Sequence, residues 1–207
     1  MALPRLSDQQ DVRRVIHHEL GHWLMAREVG FDIGAISVDT YRGKAGGAAK
    51  VFPRAQTQLK NAAAVDEYLT KRIMVLCAGV RTEIEWYHRD PTIPFSREYI
   101  DDVYENGVID TSGLTDKGKI DELLVILAGI RFTAATDNRA LSIQHRALFE
   151  EIYHESCRIS ECFMDKLFAL AKLVVEERWI STSKLVVRSN RLIELEMIAS
   201  QPTSISQ

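Results

Sequence analysis

From Ser7 onward, apolar residues recur at helical spacing: Val12, Ile16, Leu20, Trp23 and Leu24, up to Gly30. Ser7 followed by Gln10 forms a capping box, so a first helix is predicted to run from there to Gly30. The period then changes. Ile36, Val38 and Tyr41 precede a Gly-rich stretch, Arg42-Gly43-Lys44-Ala45-Gly46-Gly47, and Ala49, Val51 and Phe52 follow it. That pattern predicts a β-hairpin over 33–52 with the Gly-rich stretch as its turn. Leu69, Ile73, Leu76, Val80 and Ile84 then make one stripe, with Cys77 beside it, and predict a second helix over 62–88. Pro91, Pro94 and Gly107 interrupt the pattern and leave room for a short helix near 97–104. Helical periodicity returns from about Lys117 to Phe132. The apolar pattern from Leu141 to Glu177 is longer than an ordinary globular helix and predicts a break near 161–165 into two packed helices. Ser181 is expected to cap a last helix ending near Ala199. The sum is a mainly α fold with one small β element, read as a single domain over 7–199 with a disordered tail over 200–207.

Composition narrows the class without naming a function. Of 207 residues, 46% are hydrophobic, enough for one sizeable core. With 26 Lys and Arg against 29 Asp and Glu the net charge is -3, so no positive field draws in nucleic-acid phosphates. No uninterrupted apolar run exceeds the eight residues of Leu123 to Ile130, whereas crossing a bilayer takes about 20. The first residues, Met1 to Arg5, do not read as a secretory signal, so the expected compartment is the cytoplasm. Cys77, Cys157 and Cys162 are too few and too irregular for a disulfide framework or a zinc ribbon, and all three are expected as buried thiols.

The candidate chemistry lies in the first helix, as His18-Glu19-Leu20-Gly21-His22. Four residues on an α-helix advance by about 400°, so His18 and His22 project roughly 40° and one turn apart. Both imidazoles can therefore reach one zinc ion. Glu19, about 100° round from His18, stays out of the ligand set but near enough to take a proton from a water that the metal activates. The plain alternative is two satisfied core histidines and a solvated glutamate. Gly21 argues against it, because a glycine in mid-helix costs about 1 kcal/mol relative to Ala and makes sense where something must approach the helix closely. His17 projects to the opposite side and is expected at the surface or behind the ligands. His88, His145 and His154 have no partner spacing. A zinc peptidase site also needs a third protein ligand and an open position. Among the carboxylates Asp110, Asp116 and Asp121, spacing alone does not choose.

Several segments, in order, resemble the FtsH/paraplegin-type zinc peptidases. His18-Glu19-Leu20-Gly21-His22 is similar to that family's His-Glu-Ala-Gly-His. Ile36-Ser37-Val38 with Arg42-Gly43-Lys44-Ala45-Gly46-Gly47 resembles its strand and Pro-Arg-Gly turn, with Tyr41 in place of the proline. Ile73 to Arg81 followed by Glu83 resembles its Gly-Gly-Arg helix, Thr111 to Asp116 a shortened Thr-Gly-Ala-Ser-Asn-Asp, and Tyr153 to Ile180 its last two helices. The resemblance covers about Gln10 to Leu185 and implies that Asp116 is the third zinc ligand. Asp121 remains the alternative; Asp116 is preferred because Ile120, Leu123, Leu124 and Leu127 follow it as an amphipathic helix. The chain departs from the family in the long interval between His22 and Asp116, where 89–110 reads as an insertion. It also has no Gly-x-x-x-x-Gly-Lys-Ser/Thr phosphate loop.

The leading expectation is an ATP-independent zinc endopeptidase acting on extended or disordered protein segments, alone or with an ATPase or dedicated partner in trans. Its substrate would add as a strand to the hairpin edge, against Ile36, Val38 and Gly46. Two alternatives are a catalytically silent peptidase-like module that binds a partner protein, and a protease of the His-Glu-x-Gly-His type that cleaves transcriptional repressors. The latter group shares the motif but not the Arg-Gly hairpin.

Overall fold

The computed structural model describes residues 6–53, 58–93, 95, 103–106, 113–132, 137–177 and 184–201. Among them the order is α1 (Asp8–Glu28), β1 (Asp32–Tyr41), β2 (Lys44–Phe52), α2 (Ala62–Arg89), α3 (Val103–Asn106), α4 (Leu114–Arg131), α5 (Asn138–Glu176), β3 (Lys184–Val187) and α6 (Ser189–Ala199). The fold is mainly helical with one small antiparallel sheet, as the pattern predicts. None of the described helices is long and apolar enough to cross a membrane.

Helix α1 starts at the expected capping box, with the Ser7 side chain accepting from the Gln10 N–H. It stops before Gly30, whose φ of 82° suits a residue without Cβ. Within it Ile16, Leu20, Trp23, Leu24, Met25 and Ala26 are all almost wholly buried. They surround the helix instead of marking one stripe, because α1 lies in the centre of the molecule. The sheet packs on one side of it, and α2 and α5 pack on the others. One hydrophobic cluster draws on α1, β1, β3, α2, α4, α5 and α6, and a smaller one gathers Val80, Ile84, Trp86, Tyr87 and Ile93.

Four expectations change. The hairpin turn is only Arg42-Gly43, both at positive φ, and Lys44 to Gly47 already belong to β2. A two-residue turn of this kind matches the twist of the strands better than a long glycine loop would. Helix α5 is unbroken for 39 residues. It contains neither Pro nor Gly, and Ser156 and Ser160 keep its inner face narrow where the Ser156 hydroxyl donates to the Met74 carbonyl of α2 at 3.0 Å. A third strand, β3, precedes the last helix; Ser181, the expected cap, lies outside the described residues, as do 97–102 of the expected short helix. Its four residues pair with Ile36 to Asp39, giving the order β2-β1-β3. Finally, only Cys77 is buried; Cys157 is half-buried and Cys162 exposed, and all three are free thiols.

Candidate metal centre

His18 and His22 leave α1 on the face turned toward α2 and the start of α4. Their rings stand 4.7 Å apart, nearly perpendicular. Asp116, in the first turn of α4, brings one oxygen, Oδ2, within 3.0 Å of His18 Nε2 and 3.2 Å of His22 Nε2. Ligands bonded at about 2.0–2.1 Å to a tetrahedral ion stand roughly 3.3 Å from each other, close to both Asp116 distances, and all three donor atoms lie within 4.8 Å of one another. Asp121 is not in the group: its carboxylate pairs with Lys117 Nζ at 2.5 Å. Asp110 lies outside the described residues.

The outer nitrogens of the two rings decide what the inner ones can do. His22 Nδ1 is 2.7 Å from the Val75 carbonyl, which can only accept, so Nδ1 carries the proton and Nε2 of the neutral ring offers a lone pair. His18 Nδ1 donates in the same way to Glu83 Oε2 at 2.9 Å. Two lone pairs and a carboxylate oxygen thus converge with no proton of their own between them, an arrangement that calls for a cation. A metal ion supplies it; without one, a proton does. Burial opposes charge on His18, but its bonds to Asp116 and Glu83 outweigh that and push it up to about 10. Burial likewise opposes the Asp116 carboxylate, yet its bonds to His18 and His22 hold it well below the usual carboxylate range. His18, His22 and Asp116 could therefore hold a metal ion.

Behind the three ligands runs a chain of charged groups. Glu83, fully buried, takes His18 with one oxygen and Arg14 Nη1 with the other at 2.8 Å. Arg14 holds Asp11 at 2.8 Å, and Asp11 Oδ2 accepts from the Ala45 N–H of β2 at 2.7 Å. The ligand orientation is thereby tied to the hairpin. Glycines make the room. A Cβ on Gly79 would lie 2.3 Å from His22 Cε1 and 2.8 Å from His18 Nε2, so α2 needs a residue without a side chain opposite the imidazoles. At Gly21 the Cβ would meet Thr82 Oγ1 at 2.3 Å, so what comes close to α1 there is α2. At Gly47 it would strike Glu19 Oε1 at 2.7 Å and Val15 Cγ1 at 2.5 Å.

Glu19 therefore lies against the backbone of β2. With His22, Asp116, Ala49, Arg72 and Lys119 it lines a cleft of about 310 Å³ open to solvent. The expected substrate contacts are corrected here. Ile36 and Val38 are fully buried in the hydrophobic core on the inner face of the sheet, and β3 occupies the edge of β1 that faces away from β2. Gly46 pairs with Asp39, and its neighbour Gly47 borders the cleft in its place. His17, expected at the surface or behind the ligands, is buried away from them against Phe168, with ring centroids 4.6 Å apart. Sequence reasoning missed Asp11, Arg14, Gly79 and Arg72. Asp11 and Arg14 precede His18 by seven and four residues and share its helix face, which was a usable signal.

No protein-family model matches this chain, and comparison with curated proteins found no relative.

Proposed function

We propose that the chain is a zinc-dependent endopeptidase, similar in its site to the proteolytic domain of the FtsH/paraplegin-type peptidases. One observation carries the reading: His18, His22 and Asp116 turn three donor atoms to one point, and Glu19 lines the same open cleft. Two imidazoles and a carboxylate suit zinc in a site with a free position. Zinc held there supplies a Lewis acid for the scissile carbonyl and lowers the pKa of water. Glu19 takes the proton of the attacking water and hands it to the departing amine. Gly47, with no side chain of its own, leaves the space that Glu19 occupies for that transfer, and Glu83 and Val75 hold the two imidazoles in the tautomer whose Nε2 offers its lone pair to a metal.

The substrate lies along β2. The Ala45 N–H reaches Asp11 and not β1, so Gly47, Ala49 and Val51, two, four and six residues on, also turn N–H and C=O toward the free edge. An extended peptide added there runs past Glu19. Such pairing needs several residues with unengaged backbone, and exposing them in a folded core costs up to about 5–15 kcal/mol. Substrates are therefore extended or disordered segments, cut without ATP, and the three free thiols suit a cytoplasmic setting.

Zinc-loaded protein should digest casein without ATP, and should lose this activity with a chelator or in Glu19→Gln. Zinc binding with casein left intact would favour a partner-binding module, and rapid digestion of a stable folded protein would contradict the substrate argument.

A further inference from the structure

Arg72 lies on α2 one turn before Val75, whose carbonyl holds His22, and lines the same cleft as Glu19, His22 and Asp116. It is half-buried, yet among the described residues it makes neither a hydrogen bond nor an ion pair. The other arginines that reach the interior are matched: Arg14 has Asp11 and Glu83, and Arg131 has Asp66 and Glu151. Burial lowers the pKa of Arg72, and Tyr68 and Asp116 offset this only in part. On the same cleft wall Lys119 reaches the outer oxygen of Asp116 at a loose 3.4 Å and is otherwise exposed. The cleft thus holds two cations against Glu19 and Asp116, and a divalent ion on Asp116 leaves it with an excess of positive charge. A half-buried guanidinium that makes no hydrogen bond to any described residue is a fork of donors awaiting a planar anion.

Resting on the peptidase reading of this site, we infer that Arg72, with Lys119 beside it, binds a carboxylate of the substrate and makes the enzyme selective for acidic peptides. The carboxylate comes either from an Asp or Glu side chain near the scissile bond or from the peptide's own C-terminus. In a cleft of about 310 Å³, near the lower limit for ligand pockets, only a short stretch of peptide is enclosed. The anion therefore lies within a residue or two of the bond that is cut.

Four fluorescent decapeptides of Ala, Gly and Ser test this: one central Glu or one central Gln, each with a free or an amidated C-terminus. Wild-type enzyme should cleave the preferred acidic form about tenfold or more faster in kcat/KM than the Gln amide, mostly through KM. In Arg72→Gln that ratio should collapse toward one, and Arg72→Lys should keep part of it. A Glu amide cut as fast as the Glu free acid, with the Gln free acid as slow as the Gln amide, assigns the side chain; a Gln free acid as fast as the Glu free acid, with the Glu amide as slow as the Gln amide, assigns the terminus. Equal cleavage of all four by wild type, or an unchanged ratio in Arg72→Gln, overturns the assignment. Fluorescence anisotropy with Glu19→Gln protein, with and without zinc, separates this from the peptidase reading. Acid-selective binding that Arg72→Gln removes, when zinc-loaded wild type cuts none of the four peptides, keeps the subsite and defeats the peptidase; no acid-selective binding defeats the subsite.

Discussion

His17 and His18 are neighbours in one helix, both buried, and their surroundings make them opposites. His17 faces Phe168 and Trp86, and among the described residues its hydrogen-bond partner is the Arg13 carbonyl. Burial there holds its pKa down to about 4. His18 faces Glu83 and Asp116, which draw positive charge to it. A rotation of about 100° around the helix separates a ring kept neutral by burial from a ring that belongs to a group able to hold a metal ion. Chemistry at this helix is therefore set by what α2 and α4 bring to it, and burial by itself says nothing about which histidine is functional.

The sharpest way to break the comparison is to remove the ligands. His22→Ala or Asp116→Ala should lower zinc affinity by about three orders of magnitude or more, measured by competition with a chelating dye. Asp121→Ala, which removes the pair with Lys117, should leave affinity unchanged. Equal mild effects of the two aspartate changes would dissolve the proposed ligand set. Next in size is Glu19→Gln, for which peptide hydrolysis should fall by about 10²–10⁴-fold with zinc retained.

Glu83→Gln tests the shell behind His18. It should weaken zinc binding by about 10–100-fold and lower thermal stability as well, since Arg14 loses part of its buried partner. His17→Gln should leave zinc affinity as it was, and a large loss there would merge two environments that the structure separates. A separate effect, on stability and not on the metal, is one of pH. His17 falls from its ordinary 6.5 to about 4 in the folded protein, so the unfolded chain binds the proton more readily. Its contribution to stability is complete above about pH 6.5 and fades as pH drops toward 4, by up to about 3 kcal/mol. Chemical denaturation of metal-free protein across that range should show a shallower decline in His17→Gln than in wild type.

Much of this was legible in the chain. The capping box at Ser7, the paired histidines four residues apart and the amphipathic stripe from Leu69 to Ile84 are local patterns, and each folds as its spacing dictates. Gly21 signalled a close approach, though not by what. The short alternation at Leu185 to Val187 was too brief to separate from the helix after it, and its pairing with β1 depends on residues about 150 positions away. The same pairing covers the second edge of β1, so the strand edge left for the proposed substrate is that of β2.

The sequence by itself determined that one helix presents two imidazoles and a carboxylate at the right angular offsets, because helical geometry repeats every few residues and needs no distant partner. Tertiary structure alone decided the rest. Asp116 and not Asp121 meets the histidines, because the first turn of α4 points toward α1 and Asp121 is turned to Lys117. Gly79 makes room for the rings, and Glu83 fixes a tautomer from 65 residues away. Such long-range matches depend on how α1, α2 and α4 cross, and no spacing along the chain encodes that angle.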